Sequence, residues 1–256
     1  MPATMTGAER RHLALGDAGV TIRADEGAAR FSGYASVFNS RTAIGNPLRW
    51  GFYEEIADGA FAKTLAEGDA RMLIDHDSYY VVSRTSAGTL ALTEDERGLA
   101  VDSALDSELS YVRDLQANLR NGNITGMSFG FHVIKDEWAS ETIEVDGADP
   151  VPVDVRIIRE VRLIEVSAVT FPAYTDTEAE LKAVARALDH RGDLAAVEAR
   201  AAFRPELLDL VHIDREPGEP TRGEQTPVEP AVSTQPASLP LDLRMNALAA
   251  RYRLPR

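Results

Sequence analysis

The sequence predicts a mainly β fold with flanking helices, in the form of a closed antiparallel barrel of about seven strands with helices packed outside it. Many short segments alternate apolar and polar residues, are rich in β-branched side chains and are separated by Gly, Asn and Asp. Only one or two helical segments lie among them, so the strand–helix alternation of a doubly wound sheet is absent. A closed sheet also leaves no unpaired edges.

The predicted strands outnumber the predicted helices. They cover residues 20–23, 30–38, 71–74, 89–93, 99–105, 124–134 and 156–171, with a further hairpin over 142–155. The strands at 89–93 and 99–105 flank the polar, Gly-ended loop 94–98, which indicates a hairpin. The last strand is the longest, and Pro172 ends it.

The helices are predicted from apolar residues repeated at three- and four-residue steps. A short helix is expected over residues 58–67, and the clearest one ends at Asn121-Gly122. Its apolar positions are Leu105, Leu109, Val112, Leu115 and Leu119. The Ala- and Leu-rich segment 178–198 is also predicted to be helical, with a break at Gly192.

Changes in composition divide the chain into five parts. Residues 1–18 are expected to be a disordered leader and 19–175 the β-barrel domain. Residues 176–215 form a helical extension, 216–240 a Pro-rich linker and 241–256 a basic tail.

Composition and charge narrow the classes of function. The chain has no Cys, which excludes disulfides, thiolate metal sites and a Cys nucleophile. A net charge of −14 disfavours broad nucleic-acid binding. No stretch approaches the ~18 apolar residues of a membrane span, so a cytosolic protein is expected. The scattered His residues and the lack of a phosphate-binding Gly loop predict neither a metal site nor a cofactor.

Ser128 is the candidate nucleophile. The segment Gly126-Met127-Ser128-Phe129-Gly130 matches the G-x-S-x-G pattern of α/β-hydrolases, but a strand rather than a helix follows it, which disfavours an esterase of that class. On a strand, Ser128 shares one face with small residues, so that a substrate backbone could approach. An ordinary serine on a half-exposed strand is the alternative.

A serine nucleophile needs a base, and His76 is the candidate. His12 lies in the predicted leader, and His132 is four residues from Ser128 on the same strand, roughly 13 Å away at ~3.3 Å per residue. His76 ends an apolar strand, on the face of Met72 and Ile74. A structural histidine at a strand end is the alternative.

Glu165 is the candidate third member. A carboxylate within an apolar strand is costly to bury unless it is paired, and an imidazole is a suitable partner. An exposed edge position or a surface ion pair explains it equally well. Asp75 and Asp77 flank His76 in sequence, but neighbours on a strand point to opposite faces, so neither is expected to reach its ring.

Six segments together resemble the prohead proteases of tailed phages, which are related in fold to the herpesvirus assemblins. The resemblance runs from about residue 31 to residue 174. The segments are 31–39 (FSGYASVFN), 59–65 (GAFAKTL), 73–77 (LIDHD), 83–105 (SRTSAGTLALTEDERGLAVDSAL), 122–133 (GNITGMSFGFHV) and 163–174 (LIEVSAVTFPAY). Ser83 departs from the family, which more often has Gly there.

The resemblance implies a serine endopeptidase with His76 and Ser128 as base and nucleophile and Glu165 as the acidic member. It implies a protease packaged inside the prohead in the host cytoplasm, which cleaves scaffold protein, the major capsid protein and itself, and which could form a homodimer. The oxyanion donors stay open: backbone N–H groups near Ser128, or Arg84, Arg159 or Arg162. A non-catalytic assembly or scaffolding module on the same barrel is the alternative function.

Overall fold

The structure is a computed structural model that describes residues 8–25, 28–145, 147, 149–171 and 178–213. Residues 1–214 group into one compact unit. The predicted linker at 216–240 and the basic tail at 241–256 lie outside the described residues. Within the described ranges, no helix is both long enough and apolar enough to cross a membrane.

Eleven strands and six helices make up the described chain. The strands are β1 (Glu9–Ala14), β2 (Thr21–Asp25), β3 (Ala28–Val37), β4 (Thr42–Ile44), β5 (Phe52–Ile56), β6 (Arg71–Ile74), β7 (Asp77–Arg84), β8 (Leu90–Glu94), β9 (Gly98–Leu105), β10 (Gly126–Ile143) and β11 (Val151–Val169). The helices are α1 (Leu15–Ala18), α2 (Ala62–Glu67), α3 (Ser110–Arg120), α4 (Glu178–Arg191), α5 (Leu194–Ala201) and α6 (Leu207–Leu210).

The prediction of a closed antiparallel barrel is wrong. The strands form two open sheets: a seven-stranded mixed sheet in the order β1-β10-β11-β5-β4, with β6 and β7 branching from β11, and a four-stranded sheet in the order β2-β3-β9-β8. A barrel requires its first and last strands to pair. In the part of the chain that the structure describes, β1, β2, β4 and β8 each pair with one strand only. Both sheets instead contribute side chains to one apolar core.

The long hairpin of β10 and β11 is the centre of the larger sheet. The two strands pair antiparallel from Gly126↔Val169 to Ile143↔Val151. The far edge of β11 is shared by two strands that run parallel to it, β5 beside residues 155–158 and β6 beside residues 165–168. Parallel pairing requires the chain to cross over between strands. The alternating pattern predicts strands but carries no information on their directions. The two parallel pairings therefore differ from the antiparallel sheet that the sequence predicts.

A β-bulge in β11 determines which side chains face the functional site. Gly130 pairs with Glu165 and Phe131 pairs with Leu163, so Ile164 is the extra residue. Leu163 before the bulge and Val166 after it are both buried in the core, although simple alternation would place them on opposite faces. The bulge therefore turns Glu165 to the face opposite the core.

Residues 9–18 form β1 and α1 instead of belonging to a disordered leader. Strand β1 pairs antiparallel with β10 over six residues, from Glu9↔Phe131 to Ala14↔Gly126. Ala18 is buried in the main core, and Glu9 and Arg11 are buried as ion-paired residues. This strand lacks the apolar alternation that predicts strands, because its buried side chains are charged.

The helical extension packs on the strands and has its own apolar cluster. Ile44, Trp50 and Phe52 at the β4–β5 edge pack with Leu188 of α4 and Leu207 of α6. Gly192, at φ 69°, ends α4 in the left-handed conformation that favours glycine, as the predicted break requires. The predicted helix that Asn121-Gly122 ends is also present, as α3, but two of its five predicted apolar positions lie outside it: Leu105 ends β9 and Leu109 precedes the helix.

Candidate functional site

His76 lies in a tight turn between β6 and β7 and not on the face of a strand. Ile74 pairs with Asp77, so Asp75 and His76 are the two central residues of a hairpin connection. Both have positive φ, 49° for Asp75 and 62° for His76, as in a type I′ turn. Residues other than Gly or Asn in this conformation are strained, and such strain is frequent at functional sites.

Asp75 and its neighbours hold this strained turn against the end of β11. The Asp75 carboxylate accepts hydrogen bonds from the backbone N–H and the hydroxyl of Thr170, both at 2.7 Å. The Asp75 N–H donates to the carbonyl of Ala168 at 3.0 Å. The His76 N–H donates to Ser167 Oγ at 3.2 Å. The expectation that Asp75 does not reach the His76 ring is met: its carboxylate is bonded to Thr170.

His76 and Glu165 are in direct contact. His76 Nδ1 lies 2.7 Å from Glu165 Oε1, and the Glu165 side chain is only 1% exposed. An ionised carboxylate only accepts hydrogen bonds, so in the neutral ring Nδ1 is the nitrogen that donates to it, and the lone pair of Nε2 is then available to a proton. The second carboxylate oxygen, Oε2, accepts a 2.5 Å hydrogen bond from Ser167 Oγ. Both oxygens of Glu165 are therefore held.

Gly130 provides the room for the Glu165 carboxylate. The two residues are opposite each other on β10 and β11, and a Cβ on Gly130 would lie 2.3 Å from Glu165 Oε1. That distance is well inside van der Waals contact, so no other residue fits at position 130 without moving the carboxylate. The small residue beside Ser128 thus leaves space for the acid, whereas the sequence argument assigned the space to a substrate backbone.

Ser128 lies on the strand next to this pair. It is opposite Ser167 in the β10–β11 register, and residues opposite each other on antiparallel strands project to the same face. Ser128 therefore faces the same side as Ser167 and Glu165. Its side chain is fully buried. Ser128 Oγ and His76 Nε2 are both buried, and neither forms a hydrogen bond within the described residues. The structure thus brings His76 and Glu165 into contact and places Ser128 on the adjacent strand.

His12, which is excluded as a base on the sequence alone, lies next to Ser128 and His76. It lies on β1, directly opposite Ser128 of β10. The centroid of its ring is 6.0 Å from that of His76, in an edge-on arrangement. Burial, followed by the nearby His76, lowers the pKa of His12 to about 4. The only sequence signal was a weak alternation of residue types over residues 9–15.

The other sequence candidates lie elsewhere. His132 is farther along β10, opposite Arg162. The Arg84 guanidinium pairs with Asp69, and that of Arg159 pairs with Glu137 at 2.9 Å, on exposed surfaces. Neither of these arginines is bonded to the site. The described residues also contain no cluster of three or more His, Asp or Glu able to hold a metal ion.

Comparison with known proteins identifies a matching family model and similar proteins from phages. Residues 18–192, more than half of the chain, match the family model for the caudovirus prohead serine protease. The prohead protease of Enterobacteria phage HK97 is 34% identical over 147 residues, which are 56% of this chain and 55% of that protein. The chain therefore spans about half the length of this relative. The capsid assembly protease of bacteriophage T4 is 13% identical, with a TM-score of 0.32 over 64% of this chain and 99% of that one.

Proposed function

Because the chain belongs to the caudovirus prohead serine protease family, a family of serine proteases, we propose that it is an endopeptidase that acts in phage head maturation. Its substrates are scaffold and capsid precursor proteins and the chain itself, and it acts inside the prohead. The single observation that carries this proposal is the 2.7 Å contact between His76 Nδ1 and the buried carboxylate of Glu165. The catalytic triad of the proposal is Ser128, His76 and Glu165.

The roles follow from the atoms that are free. Ser128 Oγ attacks the carbonyl carbon of a peptide bond, and its proton passes to His76 Nε2, the only ring nitrogen not bonded to Glu165. The proton then goes to the departing amine, and the C–N bond breaks. Water hydrolyses the resulting ester by the same route. The Glu165 carboxylate stabilises the imidazolium that forms, because the site is buried and the charges interact strongly there.

The burial of Glu165 supports this reading over a non-catalytic assembly module. Removing a carboxylate from water is costly, and among the described residues a histidine and a serine hydroxyl form hydrogen bonds that compensate for it. A module that only binds capsid protein gains nothing from this arrangement. One observation favours the module, namely that Ser128 has no solvent exposure. The position of β1, which pairs with the edge of β10 at Ser128, accounts for this burial.

Self-processing tests the proposal. The chain is expressed with its cognate scaffold and capsid precursors, and its size is followed by intact mass. Wild type is expected to shorten itself within the predicted linker at 216–240, whose Pro-rich composition indicates an exposed segment. Ser128→Ala should stay at full length. Ser103→Ala is the matched control, since Ser103 is also fully buried in a strand but bonds to Ser83 at 2.6 Å. If Ser128→Ala shortens at the wild-type rate, the proposal fails.

A further inference from the structure

Strand β1 lies along the edge of β10 that carries the proposed nucleophile. The Leu15 N–H donates to the carbonyl of Thr125 at 3.0 Å, which continues the β1–β10 ladder. Hydrogen-bonded pairs alternate along antiparallel strands, so the His12–Ser128 pair falls at a non-hydrogen-bonded position. Side chains at such positions stand closest together. The side chains of His12 and Ser128 are therefore neighbours on the same face of the sheet.

This arrangement leaves no room for a substrate. Ser128 has no exposed surface, and the His76 side chain is only 8% exposed. An extended peptide binds a sheet through the free N–H and C=O groups of an edge strand. Around Ser128, one edge of β10 is taken by β11 and the other by β1. Strand β11 carries Glu165 and cannot leave, so β1 is the element that a substrate could replace.

The way in which β1 is held also suits an exchangeable strand. Its two fully buried residues are the charged Glu9 and Arg11, and Leu13 is only partly buried. Arg11 pairs with Glu54 at 2.5 Å, and Glu9 pairs with Arg156 at 3.2 Å. A buried ion pair adds little net stability to the fold, because the cost of removing both charges from water offsets their attraction. Detaching β1 would thus hydrate charges and would remove only the partly buried Leu13 from the apolar core.

We propose that β1 occupies the substrate position, so that this chain is autoinhibited until an extended peptide replaces residues 9–14 on the edge of β10. This inference rests on the proposed function. The binding site is the backbone of residues 126–131, and its ligand is a peptide segment in extended conformation that runs antiparallel to β10. The residue that takes the place of His12 lies beside Ser128.

The first test loosens β1 in the full-length chain. By the same alternation, the N–H of Leu13 points to β10 and that of Arg10 points away from it. Leu13→Pro removes one ladder hydrogen bond, whereas Arg10→Pro is the matched control, because proline is tolerated on the outer side of an edge strand. Circular dichroism confirms that both variants are folded.

The readout is covalent labelling by a fluorophosphonate, measured by intact mass. Ser128 Oγ forms a bond to phosphorus, the P–F bond breaks, and the hydroxyl proton is released. Leu13→Pro is expected to react at least tenfold faster than wild type, and Arg10→Pro at the wild-type rate. Equal rates in all three proteins would overturn the inference and leave the proposed function standing.

The second test locks β1 in place. Ala14 and Gly126 form another non-hydrogen-bonded pair, whose Cα separation of roughly 4.5 Å suits a disulfide. The chain has no other Cys. With Ala14→Cys and Gly126→Cys together, the oxidised protein should label at least tenfold more slowly than the same protein after reduction. Equal labelling before and after reduction would count against the inference. If no protein labels, Leu13→Pro included, the proposed function fails and the inference fails with it.

Discussion

The carboxylate of Glu165 has both of its oxygens bonded, one to the His76 ring and one to Ser167. Ser167 also accepts the hydrogen bond of the His76 N–H, so a single hydroxyl ties the acid to the backbone of the turn. Gly130 leaves the space that this carboxylate fills. At the residue scale, the proposed acid is therefore positioned by two small neighbours, and neither of them carries a charge.

We predict that Glu165→Gln keeps the fold but lowers the cleavage rate by about 10⁴, the loss seen when the orienting acid of a triad becomes an amide. The amide can donate to Nδ1 and thereby favour the wrong tautomer. Asp77→Asn is the matched control, because Asp77 is exposed and its carboxylate accepts the backbone N–H of Tyr79. Rates are measured on purified scaffold protein. A dead Asp77→Asn beside a nearly normal Glu165→Gln would show that the third residue is wrong.

His12 should make the stability of the chain depend on pH. Its pKa falls from the ordinary 6.5 to about 4 in the folded chain, mainly through burial. The unfolded or released strand therefore binds a proton first, and stability is lost as the pH falls from about 6.5 towards 4. Allowing for partial exposure, the loss is roughly 1–2 kcal/mol. The groups that face the ring are His76, Glu165 and Ser128 from neighbouring elements and Arg10 and Arg11 on β1.

Urea unfolding at pH 7 and pH 4.5 measures this effect. Other groups also titrate in this range, so the comparison is between wild type and His12→Gln, which cannot take up the proton. The variant is expected to lose less stability on acidification than wild type does. An identical loss in the two proteins would mean that His12 is already solvated in the folded chain.

At the scale of elements, a buried ion network joins β1, β5, β10 and β11. Arg156 is fully buried and pairs with Asp136 at 2.6 Å and with Glu9 and Glu54 at 3.2 Å. Burial opposes the charge of Arg156, but the carboxylates of Glu9 and Glu54 raise its pKa above the usual value. Burial likewise opposes the ionised form of Glu9, and Arg11 and Arg156 nevertheless lower its pKa. The opposite charges thus favour the ionised forms of Arg156 and Glu9 in spite of their burial.

We expect Arg156→Met to lower the free energy of unfolding by about 3–5 kcal/mol, because it leaves buried carboxylates without their partner. Arg159→Met is the matched control on the same strand. Arg159 pairs with Glu137 on an exposed surface, and such pairs contribute about 0–1 kcal/mol. Urea unfolding at pH 7 measures both. Similar losses for the two variants would show that the Arg156 network is open to water.

At the scale of the whole molecule, two open sheets enclose one core, and the helical extension adds a second apolar cluster at the β4–β5 edge. The sharing of one β11 edge between β5 and β6 brings the His76 turn beside Glu165, because β6 pairs with β11 from Glu165 to Ala168. In a simple antiparallel barrel, successive strands would pair with each other. The site thus depends on a crossover connection that alternation within strands does not reveal.

The sequence alone determined which residues could do the chemistry. The absence of Cys, the position of Ser128 on a strand and the exclusion of the other histidines led to Ser128 and His76. The resemblance agreed with these two and added Glu165, whose role the residue pattern alone left open. The periodicity also identified α3 and the break between α4 and α5, because helix formation depends on neighbours three or four residues apart. These are local properties.

Only the tertiary structure decided what lies beside what. It shows that the two sheets are open, that His76 lies in a strained turn and that a bulge directs Glu165 to the face of the site. It also placed β1, with His12, against Ser128. Strand pairing joins residues more than a hundred positions apart, and a strand buried through charged side chains carries no apolar pattern. The sequence therefore indicated the chemical groups, whereas their contacts and the covering of the nucleophile were set by long-range pairing.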